Sequence, residues 1–373
     1  MDVANSTLAA SIRERPGTAL VGLFGVLLAV DLVAKLAGVQ LGPIGGRLSV
    51  GRFTSGLTQG IVIGVIIGLA GIGLSMTYSI LNFANFSHGD LITVGAFSGW
   101  GVAYLILGWG IVATDPEYGI GTLLLVRRPG VGFTELGASV LLSPWAILGG
   151  LVAAAVITAL LALAIDRVVY KPMRDRSGIS LLIVSIGVAL VLRYGIQFIY
   201  GPGTRPVTSS ERTLELGVAS IDTHLATIVV VGVGLIIGTH YLLQQTKLGT
   251  AMRAMSDNKD LALVTGIPTE RTITWTWLIG GGLAGASGFL YILIQTLQFD
   301  RGWLLLLLIF AAVILGGIGS IYGAIAGGLV IGLVFQLSPI WVGSDFNYVA
   351  AYAIMILVLL LRPEGLFKGV STA

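Results

Sequence analysis

No charged side chain occurs between Arg52 and Asp90, a stretch built mostly from Ile, Val, Leu, Ala and Gly. Such a run constrains the fold more than any motif, because the hydrocarbon core of a bilayer is about 30 Å thick and a helix needs about 20 apolar residues to cross it. No water reaches the peptide groups inside lipid, so the backbone must satisfy itself, which a helix does within one segment. Comparable runs recur at 18 to 38, 56 to 82, 91 to 109, 139 to 165, 178 to 200, 223 to 243, 272 to 297, 303 to 319, 321 to 340 and 346 to 362. They predict an all-α polytopic transmembrane helical bundle of about ten spans. Charged residues make up only 10% of the chain, against roughly 25% in soluble domains.

The first run follows Arg13 and Arg15 and resembles a signal-peptide core, but it is longer and lacks a convincing small-residue cleavage site. It reads as a retained span. Asp31 and Lys35 lie four apart on one face of it, placed to neutralise each other near the outer boundary. Cationic loops favour the cytoplasmic side. With the N-terminus inside, 12 of the 21 Lys and Arg fall on the cytoplasmic side, eight fall outside and Arg193 falls within a span. Both termini are therefore expected inside a plasma membrane, with outside segments near 110 to 138 and 201 to 222. The positive charges form no basic stripe, which argues against nucleic acid as a partner. Cysteine is absent, so there is no disulfide framework, no thiolate nucleophile and no Cys-ligated metal.

Several motifs fail on context. Gly280 to Gly285 matches a dinucleotide fingerprint, but sits inside an apolar run rather than between a strand and a helix. Gly285 to Gly288 resembles the nucleophile motif of an intramembrane serine protease, yet His88, His224 and His240 all precede Ser287 and no later histidine supplies a base. Those dispersed histidines, without an H-E-x-x-H pattern, also argue against a zinc site. No Gly-Lys dipeptide occurs, so the chain has no P-loop. The 54 glycines instead favour close helix packing. Gly64 and Gly68, Gly281 and Gly285, Gly323 and Gly327, and Gly328 and Gly332 each recur at small-xxx-small spacing.

Two polar stretches interrupt this pattern. In the first, Asn82, Asn85, Ser87, His88 and Asp90 cluster between two apolar runs. Polar residues around a break either line a pathway or gate, or simply cap two helices joined by a hairpin. The charge-based topology puts this break at the cytoplasmic face. Arg193, inside the fifth run, is expected to snorkel to the interface or to pair with an acid. The second stretch is Lys247 to Arg271, which reads as a helix between Thr250 and Thr265, with Gly266 at its C′ position and Pro268 beyond. Arg253, Asp257 and Asp260 fall on one face of it, and Ala251, Ala254, Met255, Leu261 and Ala262 on another. Such a helix suits a protein partner, or alternatively lipid headgroups.

Four ordered stretches, from residue 56 to about 366, resemble the branched-chain amino acid ABC transporter permease family. They are NFANFSHGD (Asn82 to Asp90), IDRVVYKPMRDRSG (Ile165 to Gly178), the segment Lys247 to Arg271, and LGGIGSIYGAIAGG (Leu315 to Gly328). The resemblance implies a permease domain over 56 to 366, preceded by an extra N-terminal span and linker over 1 to 55 and followed by a tail over 367 to 373. It implies alternating-access import, without covalent chemistry on this chain, of branched-chain amino acids across the inner membrane. Implied partners are a second related permease, two cytoplasmic ABC ATPases and an external solute-binding protein, with the lipid bilayer around them. The chain would bind no cofactor, ATP and Mg being used by the ATPases. Gly249, Arg253, Ala254, Asp257, Asp260 and Gly266 would form the ATPase-coupling loop, and Gly281, Gly285, Gly316, Gly317 and Gly319 would serve helix packing. A small amphipathic zwitterion needs an apolar wall and a few polar groups. Open alternatives are a relative carrying urea, amides or another amino acid, and an ion-coupled secondary transporter. The latter would need carboxylates deep in the spans, where only Asp31 lies within an apolar run.

Overall fold

The computed structural model describes residues 16–114, 139–205, 207–208, 213–216 and 219–367. Most of the expected 110–138 insertion, the first 15 residues and the last six lie outside the described residues. Helix α1 (Pro16–Ala37) leads into a short hairpin, β1 (Gln40–Leu41) and β2 (Ile44–Gly45). Then follow α2 (Val50–Leu81), α3 (Ser87–Thr114), α4 (Pro144–Ile165) and α5 (Gly178–Tyr200). A π-helical turn, Asp166–Tyr170, and a 3-10 turn, Lys171–Met173, extend α4. A second hairpin, β3 (Thr213–Leu216) and β4 (Ala219–Asp222), precedes α6 (Thr223–Gln245). The remaining helices are α7 (Lys247–Asp257), α8 (Lys259–Val264), α9 (Thr269–Ile292), α10 (Arg301–Gly316), α11 (Ile321–Leu337) and α12 (Asn347–Leu361).

The architecture is predominantly helical. Seven segments among the described residues are long and apolar enough to cross a membrane: Val50–Leu81, Ser87–Trp109, Pro144–Met173, Gly178–Tyr200, Thr223–Gln245, Ile321–Ile340 and Ser344–Leu361. The sequence predicts about ten. Helix α10 has only 16 residues, a rise of roughly 24 Å, and α9 opens on a polar turn followed by Thr272, Thr274 and Thr276.

Helix α2 is the axis of the bundle, buried from Val62 through Ile80 except at Tyr78. It lies against α11, α9, α6 and α10, while α4 packs against α3 and α9. Lipid supplies little drive to press apolar helices together, so backbones must approach closely. Glycine makes that possible here. A Cβ on Gly64 would lie 2.8 Å from Leu329 Cα, and one on Gly328 would lie 2.6 Å from the Gly68 amide nitrogen. Two of the spaced glycine pairs, on α2 and α11, therefore form one interface. Gly281 and Gly285 face α4, where added Cβ atoms would collide with Ala162 and Thr158. Gly316 meets Gly323. Gly317 and Gly319 form the turn between α10 and α11 with φ of +106° and +87°, the left-handed region that favours glycine, and a Cβ on Gly319 would also lie 3.0 Å from Ser79 Oγ.

Helix α1 is fastened at its C-terminal end. Lys35 pairs with Asp31 at 2.7 Å, Trp341 Nε1 donates to Asp31 at 2.8 Å, and Lys35 Nζ donates to the Ile340 carbonyl at 3.2 Å. The i, i+4 pair legible in sequence thus reaches a distant 3-10 turn as well.

Candidate functional site

The stretch Asn82 to Asp90 does not stay at one end of the bundle. Helix α2 ends at Asn82, whose φ of 55° and amide bond to Tyr78 cap it. A Cβ on Gly178, the first residue of α5, would lie 3.4 Å from the Asn82 carbonyl oxygen, so this end of α2 is level with the start of α5. Six residues later, His88 Nε2 lies 3.0 Å from the Ala70 carbonyl, roughly 18 Å back along α2. Because a carbonyl only accepts, Nε2 carries the hydrogen. The chain therefore folds back from the end of α2, and α3 begins among buried residues beside the middle of that helix. The connecting backbone is buried in protein, the condition under which irregular chain is tolerated at membrane depth.

Two further helices, α5 and α10, close around this entry. The Phe86 amide donates to Ser185 Oγ of α5 at 3.0 Å. The Gly302 amide of α10 donates to Thr93 Oγ1 at 3.1 Å, and a Cβ on Gly89 would lie 2.7 Å from the Gly302 carbonyl oxygen. Asp90 accepts two hydrogen bonds from Arg193, Nε to Oδ1 and Nη2 to Oδ2, both 3.0 Å. The Arg193 guanidinium also lies over the Trp303 ring at 4.5 Å. The expected role of pairing with an acid is thus the arrangement found, and Asp90 is that acid. Phe86 stands 6.1 Å from Trp303 and 5.0 Å from Phe310 between ring centroids.

The two readings of the polar stretch separate by residue. Asn82 caps α2. Asn85 Oδ1 accepts from the Ser87 amide at 3.1 Å and the Ser87 hydroxyl at 2.6 Å, fastening the start of α3. His88 and Asp90 do not cap; both reach other helices. Tyr170, from the π-helical turn, donates to Asn85 at 3.2 Å and lies 2.9 Å from Ser87 Oγ. Its ring stacks on Trp277 at 5.2 Å.

A second polar cluster joins α4 to α9. Arg174 holds Asp166 through Nη2, at 2.8 and 2.7 Å to the two carboxylate oxygens, and reaches Glu270 through Nη1 at 2.6 Å. Lys171 pairs with Glu270 at 2.9 Å. Glu270 sits in the first turn of α9, outside the apolar run, and the Lys171 bond, aided by Arg174, holds its carboxyl below the ordinary value of 4.5. No local pattern in the sequence reveals this cluster, because Arg174 and Glu270 are 96 positions apart.

The segment Lys247 to Arg271 forms two helices rather than the one expected. Asn258 breaks it and caps α8 by accepting from the Leu261 amide at 2.9 Å. Gly266, at φ +85°, donates to Leu263 while Ile267 donates to Ala262, the paired bonds of a Schellman end. Arg253 does not share an outward face with Asp257 and Asp260. It turns back to donate to the Leu243 carbonyl and to Gln244 Oε1, closing the last turn of α6. Gly249 packs against the Leu243 backbone, and Ala254 is half-buried beside buried Met252 and Met255. Asp257 and Asp260 are exposed, and so are Leu261, Leu263 and Val264, the last at 84%. Leu261 thus differs from the expectation that it shares a face with Ala262, the one buried side chain of α8.

The family model described as branched-chain amino acid transport system, permease component, matches residues 56–359. The high-affinity branched-chain amino acid transport system permease protein LivH of Salmonella typhimurium is 28% identical over 329 residues, covering 84% of this chain and 95% of the relative. BraD of Pseudomonas aeruginosa, a high-affinity permease protein of the same description, is 26% identical over 317 residues, 83% of this chain and 94% of its own. The probable branched-chain amino acid transport permease protein LivH of Methanocaldococcus jannaschii is 30% identical over 325 residues, 83% of this chain and 91% of its own.

Proposed function

Since the chain belongs to the family of branched-chain amino acid transport system permease components, we propose that it is the membrane-spanning permease subunit of an ATP-driven importer that moves branched-chain amino acids across the inner membrane. It works beside a second related permease, with two ABC ATPases on the cytoplasmic side and a solute-binding protein outside. The chain binds no nucleotide; ATP and Mg act on the ATPases. Helices α1 to α6 and α9 to α12 make ten spans, the shorter α10 crossing with the help of its flanking turns. Both termini face the cytoplasm, as do α7 and α8. Residues 56 to 366 form the permease domain, 1 to 55 an added span and hairpin, and 367 to 373 a short tail.

The observation that carries this reading is the pairing of family membership with a buried polar break between α2 and α3, whose one carboxylate, Asp90, pairs with Arg193 within the bundle. Transporters place substrate groups at such breaks. Asn82, Asn85, Ser87, His88 and Asp90 then belong to the gate or path. Gly249, Arg253, Ala254, Asp257, Asp260 and Gly266 shape the coupling element, where Gly249 and Arg253 hold α7 to α6 and the exposed tip of α8 offers an apolar docking surface. Asp90 also supplies a buried carboxylate of the kind an ion-coupled carrier requires, but it is held by two bonds to Arg193, and a lone metal ion or proton taking its place would strand the guanidinium without a counter-charge.

Affinity purification of the full chain from its native host tests the proposal. ATPase chains should co-purify, the assembly reconstituted with its solute-binding protein should take up leucine only with ATP, and the isolated chain should not hydrolyse ATP. Uptake driven by an ion gradient without ATP would refute it.

A further inference from the structure

We propose that the Asp90–Arg193 pair is a subsite for the charged head of a zwitterionic amino acid, Arg193 taking its carboxylate and Asp90 its ammonium, with Phe86, Trp303 and Phe310 as the wall for its apolar body. This rests on the transporter reading above and names the groups that meet the cargo.

A buried ion pair is a weak way to hold helices together, because desolvating both charges offsets most of their attraction. The contacts between α3 and its neighbours do not need it. Gly89 meets Gly302 of α10, and Gly95 meets Gly285 of α9, both at backbone contact. Charges inside membrane segments instead tend to mark pathways. The geometry is one-sided: the Asp90 side chain is fully buried, whereas Arg193 keeps 13% exposure and its guanidinium faces Trp303. Phe86, Trp303 and Phe310 are each half-buried, so an apolar surface adjoins the exposed part of the cation.

The same break carries a further unpartnered polar group. The Asn85 side chain is fully buried, and its Oδ1 is occupied by Ser87 and Tyr170. Its Nδ2 makes no hydrogen bond among the described residues. The Ser87 amide can only donate, which fixes the amide orientation. A buried donor without an acceptor is costly, and this one stands two residues before the helix that carries Asp90.

The exchange is balanced in charge. A zwitterion that parts the pair replaces each lost partner with one of its own, so neither Asp90 nor Arg193 is left uncompensated. A ligand with one charge strands the other protein group in a dry site, and sites built on polar contacts reject analogues that lack the matching group.

The test uses the assembly purified with its ATPases in lipid nanodiscs, without solute-binding protein, and measures displacement of tritiated L-leucine. Unlabelled L-leucine should displace it, while 4-methylpentanoate, which lacks the ammonium, and 3-methylbutylamine, which lacks the carboxylate, should each be weaker by about tenfold or more. The double variant Asp90→Asn, Arg193→Gln should bind the label about tenfold or more weakly while retaining its ATPases. The analogue comparison uses the unaltered chain, so a folding defect in the variant does not affect it. A one-charge analogue matching leucine, no saturable leucine binding by the unaltered assembly, or wild-type affinity in the double variant overturns the proposal. Absence of co-purifying ATPases would overturn the transporter reading instead, and the binding comparison would then be read on the chain alone.

Discussion

Replacing Arg174 by Met removes the group that joins the π-helical turn after α4 to the start of α9. Arg174 makes two hydrogen bonds to Asp166, whose side chain is 3% exposed, and one to Glu270, whose side chain is 60% exposed. These contacts are not equivalent. Removing one partner of a buried pair leaves an uncompensated charge, at about 3 to 5 kcal/mol. The exposed Glu270 contact is screened by solvent and contributes about 1 kcal/mol or less. Arg174→Met should therefore destabilise the chain several times more than Glu270→Gln. The double variant Asp166→Leu, Arg174→Met should recover much of the loss, because a buried ion pair replaced by apolar groups of similar volume is often neutral. Unfolding in mixed micelles with increasing denaturing detergent, followed by tryptophan fluorescence, measures all three, and Trp277 stacked on Tyr170 reports on the affected region. If Arg174→Met unfolds with Glu270→Gln, or the double variant is as unstable as the single one, the buried-pair reasoning is wrong.

The remaining predictions test other levels of the structure. The contribution of Glu270 should be full above its ordinary value of 4.5 and disappear as pH falls through its lowered folded value; Glu270→Gln should remove that part of the acid sensitivity in the same unfolding assay. Gly64→Ala should destabilise by about 1 to 3 kcal/mol by pushing α2 from α11, whereas Gly187→Ala, with nothing within 4 Å of its new Cβ, should be neutral or stabilising by up to about 1 kcal/mol. Cysteines placed singly at Lys259 and Arg47, in a chain that has none of its own, report orientation: an impermeant thiol reagent on intact cells should label only the second. Arg253→Ala should free α7 from the last turn of α6 and reduce ATPase co-purification, while leaving membrane abundance unchanged by immunoblot.

Much of the architecture was legible because its causes are local. Desolvation of peptide groups acts on any run of about 20 apolar residues, so every long helix was visible in advance. The turn at Gly266 and the i, i+4 contact of Asp31 with Lys35 are likewise decided by near neighbours in the chain. Tertiary structure decided what depends on distant partners. Asp90 and Arg193 are 103 positions apart, and no spacing rule joins them, although each interrupts an otherwise apolar region and a search for opposite charges at membrane depth would have paired them. Charge patterning assigns the break after α2 an expected side of the membrane but says nothing of its neighbours; the His88 contact with Ala70 shows that the chain folds back along α2. Arg253 lay on a plausible outward face until the packing of α7 against α6 brought the Leu243 carbonyl within its reach. Local propensity and solvation select helices, whereas the partner of each buried polar group is chosen by which helices the glycine contacts allow to meet.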